Sequence, residues 1–223
     1  MKQRGDTIVE VIFAVTVFSL VAVGGLSIMN QGTAMAQRSL EIGLVRDQMD
    51  AQADALRYLH SVYVSNFDAD DQPETTKLWQ DVALKHAVSK AQALSNDSDT
   101  QACKLPSLAP GNAATGLPYG VISDAAPFAL DIRKLDVGKG SPVILLTQST
   151  NIDKTATYAQ VRYTTNGISD PVPEGIWIQS VYSPPDGSVL GYYDFHIRAC
   201  WLTPGQSAPV TLGTIVRLYE PKT

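Results

Sequence analysis

Gly5–Met29 reads GDTIVEVIFAVTVFSLVAVGGLSIM, and this stretch decides how the rest of the chain is organised. A short basic leader, Met1-Lys2-Gln3-Arg4, stands ahead of it. From Thr7 to Met29 the only charge is Glu10, and the next one is Arg38. As a helix at about 1.5 Å per residue, that run spans roughly 35 Å. A hydrocarbon core is about 30 Å thick, so the segment is long enough to cross one. Glu10 is the exception to its apolar character. An acid inside a membrane segment costs about 2.5–3.5 kcal/mol at the helix centre, and such residues usually carry function. One turn from the helix start, the macrodipole and the nearby interface reduce that cost without removing it.

The arrangement resembles the N-terminus of type IV prepilins and pseudopilins. In that family a short basic leader ends in Gly, a membrane peptidase cuts after it, and the fifth residue of the mature chain is a Glu in an apolar helix. Here the cut would fall between Gly5 and Asp6, and Glu10 is fifth from Asp6. The family usually has Phe or Met directly after the cut, where this chain has Asp6. The likeness covers about the first 30 residues closely and the layout of the remainder loosely. It implies a prepilin peptidase, other pilin subunits and an inner-membrane assembly platform as partners, with membrane lipid around the helix before assembly. It also implies N-methylation of the new terminus and a final place in an extracellular filament. Glu10 would pair with a neighbouring subunit's terminal amine, whose reference pKa of about 7.7–8.0 leaves it mostly cationic. Such pairing rewards one axial offset, as a buried polar residue does in a coiled coil. An ordinary signal anchor with an acid near the interface is the competing reading.

Lys2 and Arg4 flank the run on one side, which places the N-terminus inside and the following domain outside by the positive-inside rule. A cleaved signal peptide would need an apolar core of about 7–15 residues with small residues beyond it. This run is longer, although Ala34 and Ala36 imitate such a site. The chain has 17 Lys+Arg against 22 Asp+Glu. Lys2, Arg4, Asp6 and Glu10 cancel, so the net charge of −5 belongs to the residues beyond the anchor. A generally cationic nucleic-acid surface is not indicated. Cys103 and Cys200 are the two cysteines, without a CxxC or a histidine pair to make a zinc site. Outside the cell they would form one bridge; two free thiols are the alternative.

Gly24, Gly25 and Gly32 weaken the helix locally, each by up to about 1 kcal/mol against Ala. Gly24 and Gly25 are where flexibility is expected, and they permit close approach of other helices. Ile42, Val45, Met49, Ala53, Leu56, Leu59 and Tyr63 then recur at intervals of three and four, which predicts an amphipathic continuation. The expected division is therefore residues 1–5 as leader, 6–29 as the membrane and assembly half of the helix, 30–66 as its amphipathic half, and 67–223 as an extracellular head. In the head, Asp71-Gln72-Pro73-Glu74 resembles a capping box and opens a helix over about 73–94, with Leu78, Trp79 and Val82 inward. The preceding acids Asp68, Asp70 and Asp71 lack the central Gly of a calcium loop and read as a solvated turn. Residues 95–120 are loop by composition.

The remainder, about 126–220, reads as β: Phe128–Ile132, Val143–Gln148, Thr157–Thr164, Ile176–Tyr182, Tyr192–Leu202 and Val210–Tyr219. Tyr193, Phe195, Ile197, Ala199 and Trp201 alternate with Asp194, His196 and Arg198, so one face is packed and one wet, the habit of an antiparallel sheet. The expected fold is α+β, type IV pilin-like, with the long N-terminal helix packed on an antiparallel β-sheet head.

No catalytic or cofactor motif stands out, and the chain reads as a non-enzyme with no metal site. His60, His86 and His196 show no ligand spacing. Gly138-Lys139-Gly140-Ser141 fails as a phosphate loop because the first Gly would fall at Arg133. Tyr192, Asp194, His196 and Arg198 form a candidate surface for a sugar or peptide, against the plainer reading of a solubilising face. The leading function is a structural filament subunit; a monomeric anchored binding module is the alternative, and an anchored enzyme is a third reading for which no site can be named.

Overall fold

Residues 6–67, 74–89, 105, 113–136, 138–146, 158–163, 171–203, 206 and 208–222 are described by a computed structural model. A helix, α1, runs without a break over Asp6–Ser65. It is 60 residues long, and glycines 24, 25 and 32 do not interrupt it. Two units are distinguished along the chain, Met1–Gly43 and Leu44–Thr223. In the first unit every described side chain from Ile8 to Leu40 is exposed. Thr16 and Ser19 donate to the carbonyls of Ile12 and Val15, both at 2.7 Å, so their hydroxyls are satisfied within the helix itself. Burial begins at Glu41 and Ile42, where the stripe read from the sequence begins.

Beyond that point the expected stripe is the buried one. Val45, Met49, Ala53, Leu56, Leu59 and Tyr63 are each 4% exposed or less. A fully buried aliphatic side chain of this size contributes about 1.5–3 kcal/mol. The surface it packs on is a six-stranded sheet of β1 (Ala87–Ser89), β2 (Phe128–Leu130), β3 (Val143–Leu145), β6 (Ile176–Ser183), β7 (Tyr192–Trp201) and β8 (Val210–Tyr219). The order is β3-β2-β6-β7-β8, with β1 beside β6. Two further strands, β4 (Gln160–Arg162) and β5 (Val172–Glu174), form a separate antiparallel pair.

β7 and β8 pair antiparallel over their whole lengths, as the alternation predicts, and β6 pairs antiparallel with β7. Three expectations need correction. The helix over 73–94 is only α2 (Glu74–Trp79) and a π-helical turn, Gln80–Leu84; β1 follows at once. β1 pairs parallel with β6, so the sheet is antiparallel except at this edge. The uniformly wet outer face is wrong for β6, which is buried at every residue. Val181 there packs with Val88 and Ala125, and Ala113 rests against them. Asp68, Asp70, Asp71, Pro73, residues 90–94 and most of 95–120 lie outside the described residues.

An aromatic group centres the packed face. Trp79, 1% exposed, stacks on Tyr63 at 5.6 Å and meets the rings of Tyr193 and Phe195 edge-on at 5.7 and 5.9 Å. Ser180 donates to the Ala83 carbonyl at 2.9 Å, fastening the π-turn to β6.

Gln52 makes the most specific helix–sheet contact. Phe128 is the one β2 residue in register with β6. Leu130, two residues on and facing the same side, has no strand partner there. The Gln52 side chain takes the strand's place: Nε2 donates to the Leu130 carbonyl at 3.0 Å, and Oε1 accepts from the Leu130 N–H at 2.8 Å. Replacing Gln52 by Leu keeps the volume but strands both backbone groups in the core. At about 1–3 kcal/mol for each unsatisfied group, Gln52→Leu should lose about 2–4 kcal/mol in urea unfolding, with an unchanged m-value.

Candidate functional site

The first feature with functional character is the apolar helix itself. Ile8, Val9, Val11, Ile12, Phe13, Phe18, Leu20 and Leu26 are all more than 60% exposed. A helix apolar on every face normally belongs in a core or a bilayer, and this one is long and apolar enough to cross a membrane. Glu10 is exposed on it, one turn from the helix start at Asp6. A Cβ added at Gly24 or Gly25 would meet nothing within 4 Å, so these residues leave an open notch in the helix surface. Gly5 lies outside the described residues.

The second feature is the outer face of β7. Tyr192, Asp194, His196 and Arg198 share it, all half-buried, because every second residue of the strand points that way. Two of them share one partner across the strand pair. Arg217, opposite Asp194 on β8, forks both its carboxylate oxygens at 2.7 Å. The guanidinium also lies over the Tyr192 ring, 4.1 Å from its centre. The Asp194 hydrogen bond raises the Arg217 pKa further above its ordinary value. Asp194 and Tyr192 are therefore committed to Arg217, a residue that the strand pattern alone did not single out. His196 and Arg198, at the other end, border an open recess of about 590 Å³ with Thr211–Ile215 of β8.

The other histidines have structural partners. His60 Nε2 lies 2.8 Å from the Tyr219 carbonyl and ties α1 to the end of β8. His86, 5% exposed, meets Asp124 at 2.7 Å. Among the described residues no group of three metal-ligating side chains converges.

Cys200 is fully buried on β7 and is disulfide-bonded. Cys103, the chain's other cysteine, lies outside the described residues.

No protein-family model, no curated protein and no solved structure matches this chain.

A bridge that closes a long loop restricts the unfolded chain and typically stabilises by about 2–4 kcal/mol. Reduction, or Cys200→Ser, should lower the denaturation midpoint by a corresponding amount. Unfolding with and without reductant, followed by Trp fluorescence, measures it.

Proposed function

We propose that the chain is a structural subunit of a type IV pilus or pseudopilus, cut after Gly5 and assembled through its N-terminal helix. The observation that carries this reading is one unbroken helix with two characters. Its first part, apolar on every face, buries nothing within the chain, while its last part is buried in the head. Before assembly lipid covers the first part; afterwards the same segments of other subunits do. Thr16 and Ser19, already satisfied within the helix, add no donor that needs water.

Glu10 supplies what the apolar contacts lack. Side chains of Val, Ile, Phe and Leu pack at many axial offsets, with little to choose between them. A carboxylate seeking the amine of a neighbour's new Asp6 terminus selects one offset, because the alternative is an uncompensated charge in an apolar bundle. Gly24 and Gly25 let neighbouring backbones approach closely. The head is carried outward for adhesion, motility or uptake. The outer face of β7 and β8 also suits an anchored recognition module; that reading predicts ligand binding by cells that carry no filament of this chain.

Processing is read by intact mass in a host with a prepilin peptidase. The wild-type chain should lose Met1–Gly5, and Gly5→Ala should keep it; equal trimming of both, or of neither, contradicts the proposal. Glu10→Ala should insert and be cut normally yet be absent from sheared filaments. Incorporation at the wild-type level would remove the registering role of Glu10.

A further inference from the structure

At the end of the head farthest along α1 lies a pocket of about 550 Å³, in the range of small-molecule sites. Tyr63, Phe67 and Tyr119 give it an aromatic wall, Val189 and Leu190 an apolar rim, and Glu220 a carboxylate.

The carboxylate is held in place without being neutralised. Glu220 Oε1 accepts from the Tyr193 hydroxyl at 2.9 Å, and the Tyr182 phenol lies in the field of the same carboxylate. Both phenols stay neutral: burial, and then Glu220 itself, push the Tyr182 pKa up to about 12 and the Tyr193 pKa higher still. Among the described residues no Lys, Arg or His stands within ion-pair distance of Glu220; Lys222, exposed at the pocket rim, is not in that range. Elsewhere in the head, Asp131 and Asp194 each face an arginine fork.

Two backbone features hold the pocket open. Gly191 has no side chain, and a Cβ there would collide with the Glu220 carboxyl group. Tyr119 adopts φ 61°, ψ 14°, the left-handed region that a bulky residue rarely enters. Its hydroxyl is fixed 2.9 Å from that of Tyr63. Strain of this kind persists where surrounding structure imposes it, and it gathers at binding sites.

We propose that the pocket binds an alkylammonium group, as a lysine side chain or a small aliphatic amine presents it, with Glu220 as counter-ion. The ammonium meets the carboxylate, beside the aromatic wall of Phe67 and Tyr119, either of which attracts a cation that reaches its ring face. Val189 and Leu190 cover the methylene stem. A neutral or anionic group gains nothing from the carboxylate. The inference stands apart from the filament reading, since it concerns the head and leaves Glu10 untouched.

The test uses the full chain in detergent micelles with ¹³C-labelled tyrosine rings. It is titrated with n-butylammonium, with Nα-acetyl-lysine-N-methylamide and with the neutral Nε-acetylated form of that amide. Saturable shifts of the Tyr63 and Tyr119 signals are expected with the two ammonium probes and not with the neutral one. Tighter binding of the lysine amide assigns the site to a protein partner, and tighter binding of butylammonium to a free amine. A charge-assisted contact of ordinary strength makes Glu220→Gln at least about tenfold weaker. Val189 is 56% exposed on a turn, so Val189→Lys leaves the core alone. It places a tethered ammonium at the rim and should also weaken probe binding, which keeps the test decisive if Glu220→Gln does not fold. Equal binding of the acetylated probe, wild-type affinity in Val189→Lys, or no saturable shift overturns the proposal.

Discussion

One stripe of α1 must stay on one face of the sheet, and the head is built round that contact. The stripe runs from Val45 to Tyr63 and is buried throughout, with Gln52 reaching β2, His60 reaching the end of β8 and Tyr63 meeting Trp79. Apolar burial supplies the attraction but does not fix a helix at one height along a sheet, because it is non-directional. Gln52 does so, since the Leu130 amide and carbonyl can both be answered at one position only. The ring contacts of Tyr63, Trp79, Tyr193 and Phe195 then tie the end of α1 and the end of α2 to β7.

That anchorage makes the two parts of the helix differ so sharply in exposure. The same backbone geometry serves both, with continuous hydrogen bonding from Asp6 to Ser65. What changes is the distribution of apolar side chains, from all faces to a single stripe. The proposed filament role follows from this change: the striped part is used up by the head, and the other part is left to associate with lipid or with further helices.

The two carboxylates of greatest functional interest owe their standing to opposite treatment. Asp194 is neutralised by a forked arginine that also covers Tyr192, which makes the outer strand face a sealed surface at that end. Glu220 is held by the neutral Tyr193 phenol and lines a cavity. An acid held by neutral donors remains available to an incoming cation, whereas an acid already forked by a guanidinium does not.

The long apolar helix and the amphipathic stripe were legible in the residues, because helical periodicity and an unbroken apolar run are local properties. So were the long strands β7 and β8, where alternation extends over ten residues. Ala87–Ser89 was read as helix, since three residues are too few for a period to declare itself and only β6 alongside makes them a strand. Nothing in the strand pattern of β7 revealed that Arg217 lies opposite Asp194, because register belongs to a pair of strands. The role of Gln52 is set by the Leu130 backbone, 78 residues away in the chain. Sequence by itself determined which segments are apolar, helical or alternating; the tertiary structure decided which polar groups are answered, because hydrogen-bond partners far apart in the chain are chosen by packing.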